Sequence, residues 1–104
     1  MAVQVVWSPE ALKDVKEIAG YIRRDSPFYA RIVTEKILDA TRKIQTSPLA
    51  ASIVPEIGSE RYRERAVYSY RIIYRLTENL ATVVAVLHSR RRLAAVEERI
   101  ETDP

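Results

Sequence analysis

The sequence contains no cysteine and only one histidine, His88. Without a thiol the chain has no disulfide framework and no thiolate chemistry, so we expect a cytoplasmic protein. A dedicated zinc site also needs more cysteine or histidine than this chain offers, and we expect neither a metal nor another cofactor.

Long hydrophobic runs are missing as well. No stretch approaches the roughly 20 apolar residues that a membrane-spanning helix needs. The first ten residues, MAVQVVWSPE, lack the positive start and apolar middle of a secretory signal. Since 47% of the 104 residues are hydrophobic and 30% are charged, we predict a single domain over residues 1–104 with no membrane partner.

The first half of the chain has two clear helix starts. Residues 3–7 predict a short strand, and Ser8-Pro9 then predicts a helix with serine as N-cap and proline at its first position. The same pair recurs at Ser26-Pro27, and apolar residues follow both pairs at helical spacing. The second helix should end near Ser47-Pro48. The short connection between them predicts an antiparallel helical hairpin.

The second half favours strands. Residues 48–60 hold two prolines and one glycine without a regular period, which predicts a loop, with or without a turn of helix. A loop of this length is typical of a lid, a partner surface or a mobile segment. Residues 61–92 then predict two or three antiparallel strands. The hairpin turn falls at Tyr68-Ser69, although the usual glycine or asparagine is missing there.

Alternation along the strands assigns side chains to faces. It places Tyr70, Ile72, Tyr74 and Leu76 against the helices, and Arg71, Ile73 and Arg75 on the opposite face. The last strand is apolar at both odd and even positions: Ala81, Val83, Ala85 and Leu87 would lie on one face, and Val84 and Val86 on the other. We therefore expect this strand to lie inside the sheet, covered on both faces. A short helix or tail follows through Leu93, Val96 and Ile100. The order predicts an α+β fold: an N-terminal strand and a helical hairpin packed on one face of a small, mainly antiparallel sheet.

Positive charge is concentrated in this second half. The net charge is only +3, but residues 61–92 contain eight arginines and two glutamates, which leaves a balance of −3 for the rest of the chain. Every cation there except His88 is arginine, the side chain best suited to phosphates, carboxylates and interfaces. We therefore expect an arginine-bearing open sheet face that a macromolecule binds, the alternative being solvated surface charge.

Several segments along the chain form a recognisable set. They include WSPEALKDVKEIA at 7–19, DSP at 25–27, PEIG at 55–58, YRIIYRL at 70–76 and VLHSRR at 86–91. Together they resemble one family, the RelE/ParE toxins of bacterial type II toxin–antitoxin pairs. They cover nearly the whole chain in order. The resemblance implies the same fold, a helical hairpin on an antiparallel sheet.

The resemblance implies two possible activities. A ParE-like toxin binds DNA gyrase and stalls it, and the HSRR ending together with YRIIYRL is more similar to that branch. Target binding would then rest on Arg71, Arg75, His88, Arg90, Arg91 and Arg92. A RelE-like toxin is instead an endoribonuclease that cuts mRNA in the ribosome, which requires acid–base groups and cations at the scissile phosphate. Of that set, His88 remains as the catalytic candidate together with Arg90 and Arg91, because Ala66 stands where an arginine is expected and no tyrosine occurs after Tyr74.

The resemblance also implies a cognate antitoxin, a small acidic DNA-binding protein in a hetero-oligomer with the toxin. We expect it to contact Arg71, Ile73, Arg75, Ile53 and Ile57, which offer cationic and apolar surface. The alternative for Ile73 is that the chain's own C-terminal segment covers it.

A third hypothesis is a basic nucleic-acid-binding module that uses the arginines and the six tyrosines. Tyr70 and Tyr74 argue against it, since they alternate along the strand with the same phase as Ile72 and Leu76 and are better explained as core residues.

Overall fold

A computed structural model describes residues 2–91 and 93–100. Strand β1 (Gln4–Trp7) leads into helices α1 (Pro9–Arg23) and α2 (Pro27–Thr46), followed by strands β2 (Ser52–Ile53), β3 (Tyr62–Val67), β4 (Tyr70–Leu76) and β5 (Leu80–His88) and a 3-10 helix (Leu93–Arg99). The predicted α+β architecture is confirmed.

Both helices begin as predicted. The Ser8 hydroxyl accepts a hydrogen bond from the Ala11 N–H at 3.1 Å, and the Ser26 hydroxyl accepts one from the Tyr29 N–H at 3.1 Å. Each bond satisfies one of the backbone donors that a helix start leaves free. Helix α2 ends at Thr46, directly before Ser47-Pro48 as expected.

The five strands form one sheet in the order β1-β5-β4-β3-β2. β1 runs parallel to β5, and the other neighbours are antiparallel. The predicted loop over 48–60 is therefore incomplete, because it contains the edge strand β2. Two exposed residues give no periodic signal, so only their pairing with β3 reveals this strand.

A β-bulge in β5 changes the predicted faces of that strand. Consecutive residues Ile73 and Tyr74 of β4 lie opposite Ala85 and Val83, which leaves Val84 as the extra residue. Val83 and Val86 consequently both face the helices. The assignment of Val83 to the same face as Ala85 was wrong, because strict alternation cannot anticipate an inserted residue.

The sheet has a hydrophobic core on each face. Ile72 and Tyr74 pack with Val33, Ile37 and Ile44 of α2, as the alternation of β4 predicts. The opposite face is also covered, and its cluster joins the 3-10 helix and the loop after β2 to the sheet: Val54, Tyr62, Ile73, Val84, Ala85, Leu87, Leu93 and Val96. The expectation of an open face on this side was wrong.

Candidate partner-binding surfaces

Arg71 on β4 is held by two carboxylates of the chain itself. Its Nη1 and Nη2 donate to the two carboxylate oxygens of Glu56 at 2.9 Å each. Its Nε and Nη2 donate to Glu64 Oε1 at 2.9 and 2.6 Å. Bidentate pairs of this kind are the strongest that arginine forms. We call these three residues the Arg71 clamp; it ties the loop after β2 to the sheet.

The clamp also shifts the pKa values of Glu56 and Arg71. Hydrogen bonds from Arg71 hold the pKa of Glu56 below its ordinary value of 4.5. The hydrogen bonds that Arg71 donates to Glu56 and Glu64 raise its own pKa against the opposing effect of burial. With a side chain only 13% exposed and both edges occupied, Arg71 offers little to a partner in this structure.

The apolar residues expected at the antitoxin interface differ in exposure. Ile73 is 0% exposed, beneath Val54, Leu93 and Val96. Ile73 was expected to offer open surface, and the structure shows the alternative, coverage by the chain's own C-terminal segment. Ile57 is half-buried against the same cluster, whereas Ile53 on the edge strand β2 is exposed.

The arginines are distributed over both sides of the sheet. Arg71 and Arg75 share one parity of β4, and Arg75 is half-buried there. Arg63 and Arg65 lie toward the helical side, where Arg63 donates to the Ala51 carbonyl at 3.3 Å and Arg65 lines a groove beside α2. The arginines of β3 and β4 therefore do not share one face of the sheet: Arg63 and Arg65 pair with Tyr74 and Ile72 on the helical side, whereas Arg71 lies on the other side.

Three of the residues expected at the target interface lie exposed at the end of β5. His88 Nδ1 accepts a hydrogen bond from the Arg90 N–H at 3.2 Å, and Arg90 and Arg91 are exposed. The Tyr70 ring meets the His88 ring edge-on, with centroids 5.6 Å apart. Arg92, also expected at the target interface, lies outside the described residues.

A cleft of about 250 Å³ links this end of β5 to α1, and its lining includes Tyr21, Tyr70, His88 and Arg91. Nearby, the Tyr29 ring lies 6.5 Å from that of Tyr68 in the β3–β4 turn. Burial, with smaller effects of Tyr29 and Tyr21, raises the pKa of Tyr70. We call Tyr21, Tyr29, Tyr68, Tyr70, His88, Arg90 and Arg91 the aromatic–cationic end.

Sequence reasoning found the cations of this end but missed its tyrosines. Tyr21 is 70% exposed, Tyr68 55% and Tyr29 49%. A signal was present, since Tyr21 and Tyr29 fall outside the apolar stripes of their helices. A large ring off the stripe is predicted to face solvent. The structure adds that these rings come together.

A second feature absent from the sequence-based predictions is a buried ion pair. Asp14 of α1 accepts from Arg99 at 2.6 and 3.2 Å and from the Val86 N–H at 3.0 Å. Arg99 also donates to the Val84 carbonyl at 3.2 Å. β1 pairs with β5 only as far as Val83, so Asp14 satisfies an amide on an edge that β1 leaves open. The pair attaches the 3-10 helix to the body of the protein.

Within residues 2–91 and 93–100, no three His, Asp or Glu side chains are placed to hold a metal ion. The same residues include no helix with the length and apolar character to cross a membrane.

A comparison with protein-family models identifies the family. The family model described as ParE toxin of the type II toxin–antitoxin system, ParDE, matches residues 5–93. No curated protein matches the chain.

Solved structures of similar fold have low sequence identity. A chain of the chromosomal ParDE system of P. aeruginosa has a TM-score of 0.70 at 14% identity, covering 84% of this chain and 96% of its own. A mutant of the E. coli toxin RelE in the free state has a TM-score of 0.69 at 18% identity, covering 97% and 100%. A chain of the YoeB–YefM toxin–antitoxin complex of Staphylococcus aureus has a TM-score of 0.54 at 17% identity, covering 85% and 98%. Identities this low show the shared fold alone, but the family model spans most of the sequence. The chain therefore belongs to the ParE toxin family of type II toxin–antitoxin systems.

Proposed function

We propose that this toxin inhibits DNA gyrase by binding it, and that a cognate acidic antitoxin neutralises it. The observation that carries the proposal is the aromatic–cationic end. Tyrosine and arginine are enriched at the energetic centres of protein interfaces. Here the exposed Tyr21 of α1 lines one cleft with His88 and Arg91. The exposed rings of Tyr29 and Tyr68 lie near each other at the same end of the sheet.

The arrangement of the rings favours a protein target over a nucleic acid. The Tyr29 and Tyr68 rings are tilted by 45°, and Tyr70 and His88 meet at 81°. Successive bases need open ring faces on which to stack. The acidic residues Asp14 and Glu17 also line the cleft beside Tyr21, which disfavours a phosphate there.

Two contacts argue against the RelE-like alternative. RNA cleavage needs cations free to neutralise a scissile phosphate; Arg90 and Arg91 are exposed, but Arg71 on β4 is occupied by Glu56 and Glu64. His88 Nδ1 accepts the Arg90 N–H, so the neutral ring carries its proton on Nε2. The ring could then act as a general base at Nε2 only after it breaks this bond. Binding alone needs neither group.

Two parallel assays test the proposal on the purified toxin. We expect loss of gyrase supercoiling activity and no cleavage of mRNA on translating ribosomes. Cleaved codons with unaffected gyrase would refute the proposal and support the RelE-like alternative.

The aromatic–cationic end is tested with the double variant Tyr21→Ala/Tyr29→Ala, which should lose gyrase inhibition. Leu49→Ala is the matched control, since Leu49 is also an exposed apolar side chain, 58% accessible. It lies just beyond the opposite end of α2, whose last residue, Thr46, is about 26 Å along the helix from Tyr29. Equal inhibition by both variants would refute this location of the target surface.

A further inference from the structure

A groove of about 290 Å³ lies between α2 and β3 and carries more positive than negative charge. Its lining includes three cations, Lys36, Lys43 and Arg65, and a single carboxylate, Asp39. We call it the basic groove after these cations. The aromatic–cationic end reaches it, because Tyr68 in the β3–β4 turn belongs to both.

The cations of the basic groove are available to a ligand, in contrast to Arg71. Lys36 is exposed on α2. Lys43 is 61% exposed and lies 3.8 Å from Asp39, a distance typical of weak surface pairs. Arg65 donates a long hydrogen bond of 3.5 Å to the Ala50 carbonyl. An anion that enters the groove therefore has no strong pair to break.

Helical spacing places the two lysines on one side of α2. Positions 36, 40 and 43 share a helix face, and Lys36 and Lys43 are separated by about 10 Å along the axis. Phosphates along one strand of duplex DNA advance by about 3.4 Å each. The two ammonium groups therefore match phosphates about three steps apart, while Arg65 lines the groove from β3.

The same lining offers a protein partner little apolar surface. Ala40 is buried, and Val67 packs against the helical core of the sheet. Ala66 is exposed but small. Protein interfaces draw most of their binding energy from large side chains seated in pockets, whereas contact with a phosphate backbone needs only cations. The groove therefore fits a nucleic-acid backbone better than an acidic protein segment.

We infer that the basic groove binds the phosphate backbone of the duplex DNA that gyrase holds. The inference rests on the proposed function, which supplies gyrase. The Tyr68 ring lies 6.5 Å from that of Tyr29 in the aromatic–cationic end, so a toxin bound to gyrase through that end brings the groove next to the same partner. The rings then contact the protein, and the groove contacts the DNA.

Binding of the full-length toxin to purified gyrase, measured with and without a bound linear duplex, tests the inference. DNA should tighten binding roughly tenfold or more at low salt and steepen the dependence of log K on log salt concentration by about 2–3. Lys36→Gln/Lys43→Gln should remove most of this gain and lower the slope by about 2. Both positions are exposed on α2, so the fold should be retained.

The matched control is Lys13→Gln/Lys16→Gln, which neutralises the other two lysines of the chain, at exposed positions of α1. The two double variants have the same net charge and differ only in where the charge is lost, so the control should keep the gain from DNA. Asp39→Asn removes the carboxylate of the groove and should increase the gain by about two- to fivefold. Loss of folding cannot produce a change of that sign.

The outcomes separate the two proposals. Equal wild-type binding with and without DNA, an equal loss in both double variants, or an unaltered gain in the groove variant or in Asp39→Asn would overturn the groove and leave gyrase as the target. If the groove variant bound DNA-free gyrase as weakly as the DNA complex, an acidic protein surface would occupy the groove, which also overturns the inference. No wild-type binding to gyrase in either form would overturn the proposed function and the groove together.

Discussion

Substitution of Asp14 by Asn tests whether the buried ion pair holds the C-terminal helix in place. Asparagine keeps the shape of the side chain but presents an amide N–H₂ where a donor of Arg99 or Val86 now points. The Asp14 and Arg99 side chains are 8% and 17% exposed, so water can replace little of what is lost.

The expected magnitude follows from these contacts. An unsatisfied buried N–H costs about 1–3 kcal/mol, and removal of one partner of a buried pair costs about 3–5 kcal/mol. These two ranges describe the same loss and are not added; because Arg99 keeps its bond to the Val84 carbonyl and some solvent, the cost lies where the two ranges meet. We expect Asp14→Asn to lower the free energy of unfolding by about 2–3 kcal/mol, a large part of the roughly 5–15 kcal/mol of a typical domain.

Urea unfolding followed by circular dichroism measures the effect. Arg99→Met removes the charge while keeping much of the packing, and the double variant completes a thermodynamic cycle. The two losses should be less than additive, because each single change breaks the same pair. Glu17→Gln is the control: Glu17 forms only an exposed pair with Lys13 at 4.0 Å, and its loss should cost no more than about 0.5 kcal/mol. A cost for Asp14→Asn as small as that of Glu17→Gln, or additive losses, would refute the reasoning.

Three further predictions concern a carboxyl, a helix cap and a turn. The pKa of Glu56 is depressed, so the stability that its charged form contributes is present above the ordinary value of 4.5 and disappears as pH falls through the pKa of the folded state. The difference in unfolding free energy between wild type and Glu56→Gln should therefore shrink in unfolding curves measured at acid pH. A difference that stays constant with pH would contradict the clamp. Ser26→Ala should cost about 1 kcal/mol by loss of the N-cap, while Ser47→Ala, at the other end of α2, should cost less in the same thermal melts. Tyr68 has a φ of 52°, the one positive value of a described non-glycine residue. Tyr68→Gly should therefore add about 0.5–1 kcal/mol of stability yet weaken gyrase inhibition, whereas the control Ser69→Gly should not stabilise the protein. If Tyr68→Gly lost both stability and inhibition, the turn would be shown to be unstrained.

The opposite signs expected for Tyr68→Gly connect the turn to the proposed target surface. A tyrosine at positive φ is a local strain that glycine would relieve. Its ring lies 55% exposed beside Tyr29. Tyrosine at this position thus lowers stability but places an aromatic ring on the proposed target surface.

Local rules were sufficient for most of the fold. The Ser-Pro pairs determined both helix starts because an N-cap depends on residues within one turn. Alternation along β4 identified Ile72 and Tyr74 as core because side chains of a strand point to opposite faces in turn. The family resemblance also depends on the amino-acid sequence alone, since segments spread along the whole chain carry it.

Long-range contacts decided the rest. Arg71 was predicted to face a partner, and it faces Glu56 and Glu64, which are distant in sequence or lie on a neighbouring strand. The bulge at Val84 depends on the register with β4, and the basic groove depends on how β3 lies beside α2. Sequence patterns record which face a side chain occupies, since that follows from local geometry. Which group then lies opposite it, and whether a charge remains free, depends on how distant segments pack, and only the tertiary structure decides it.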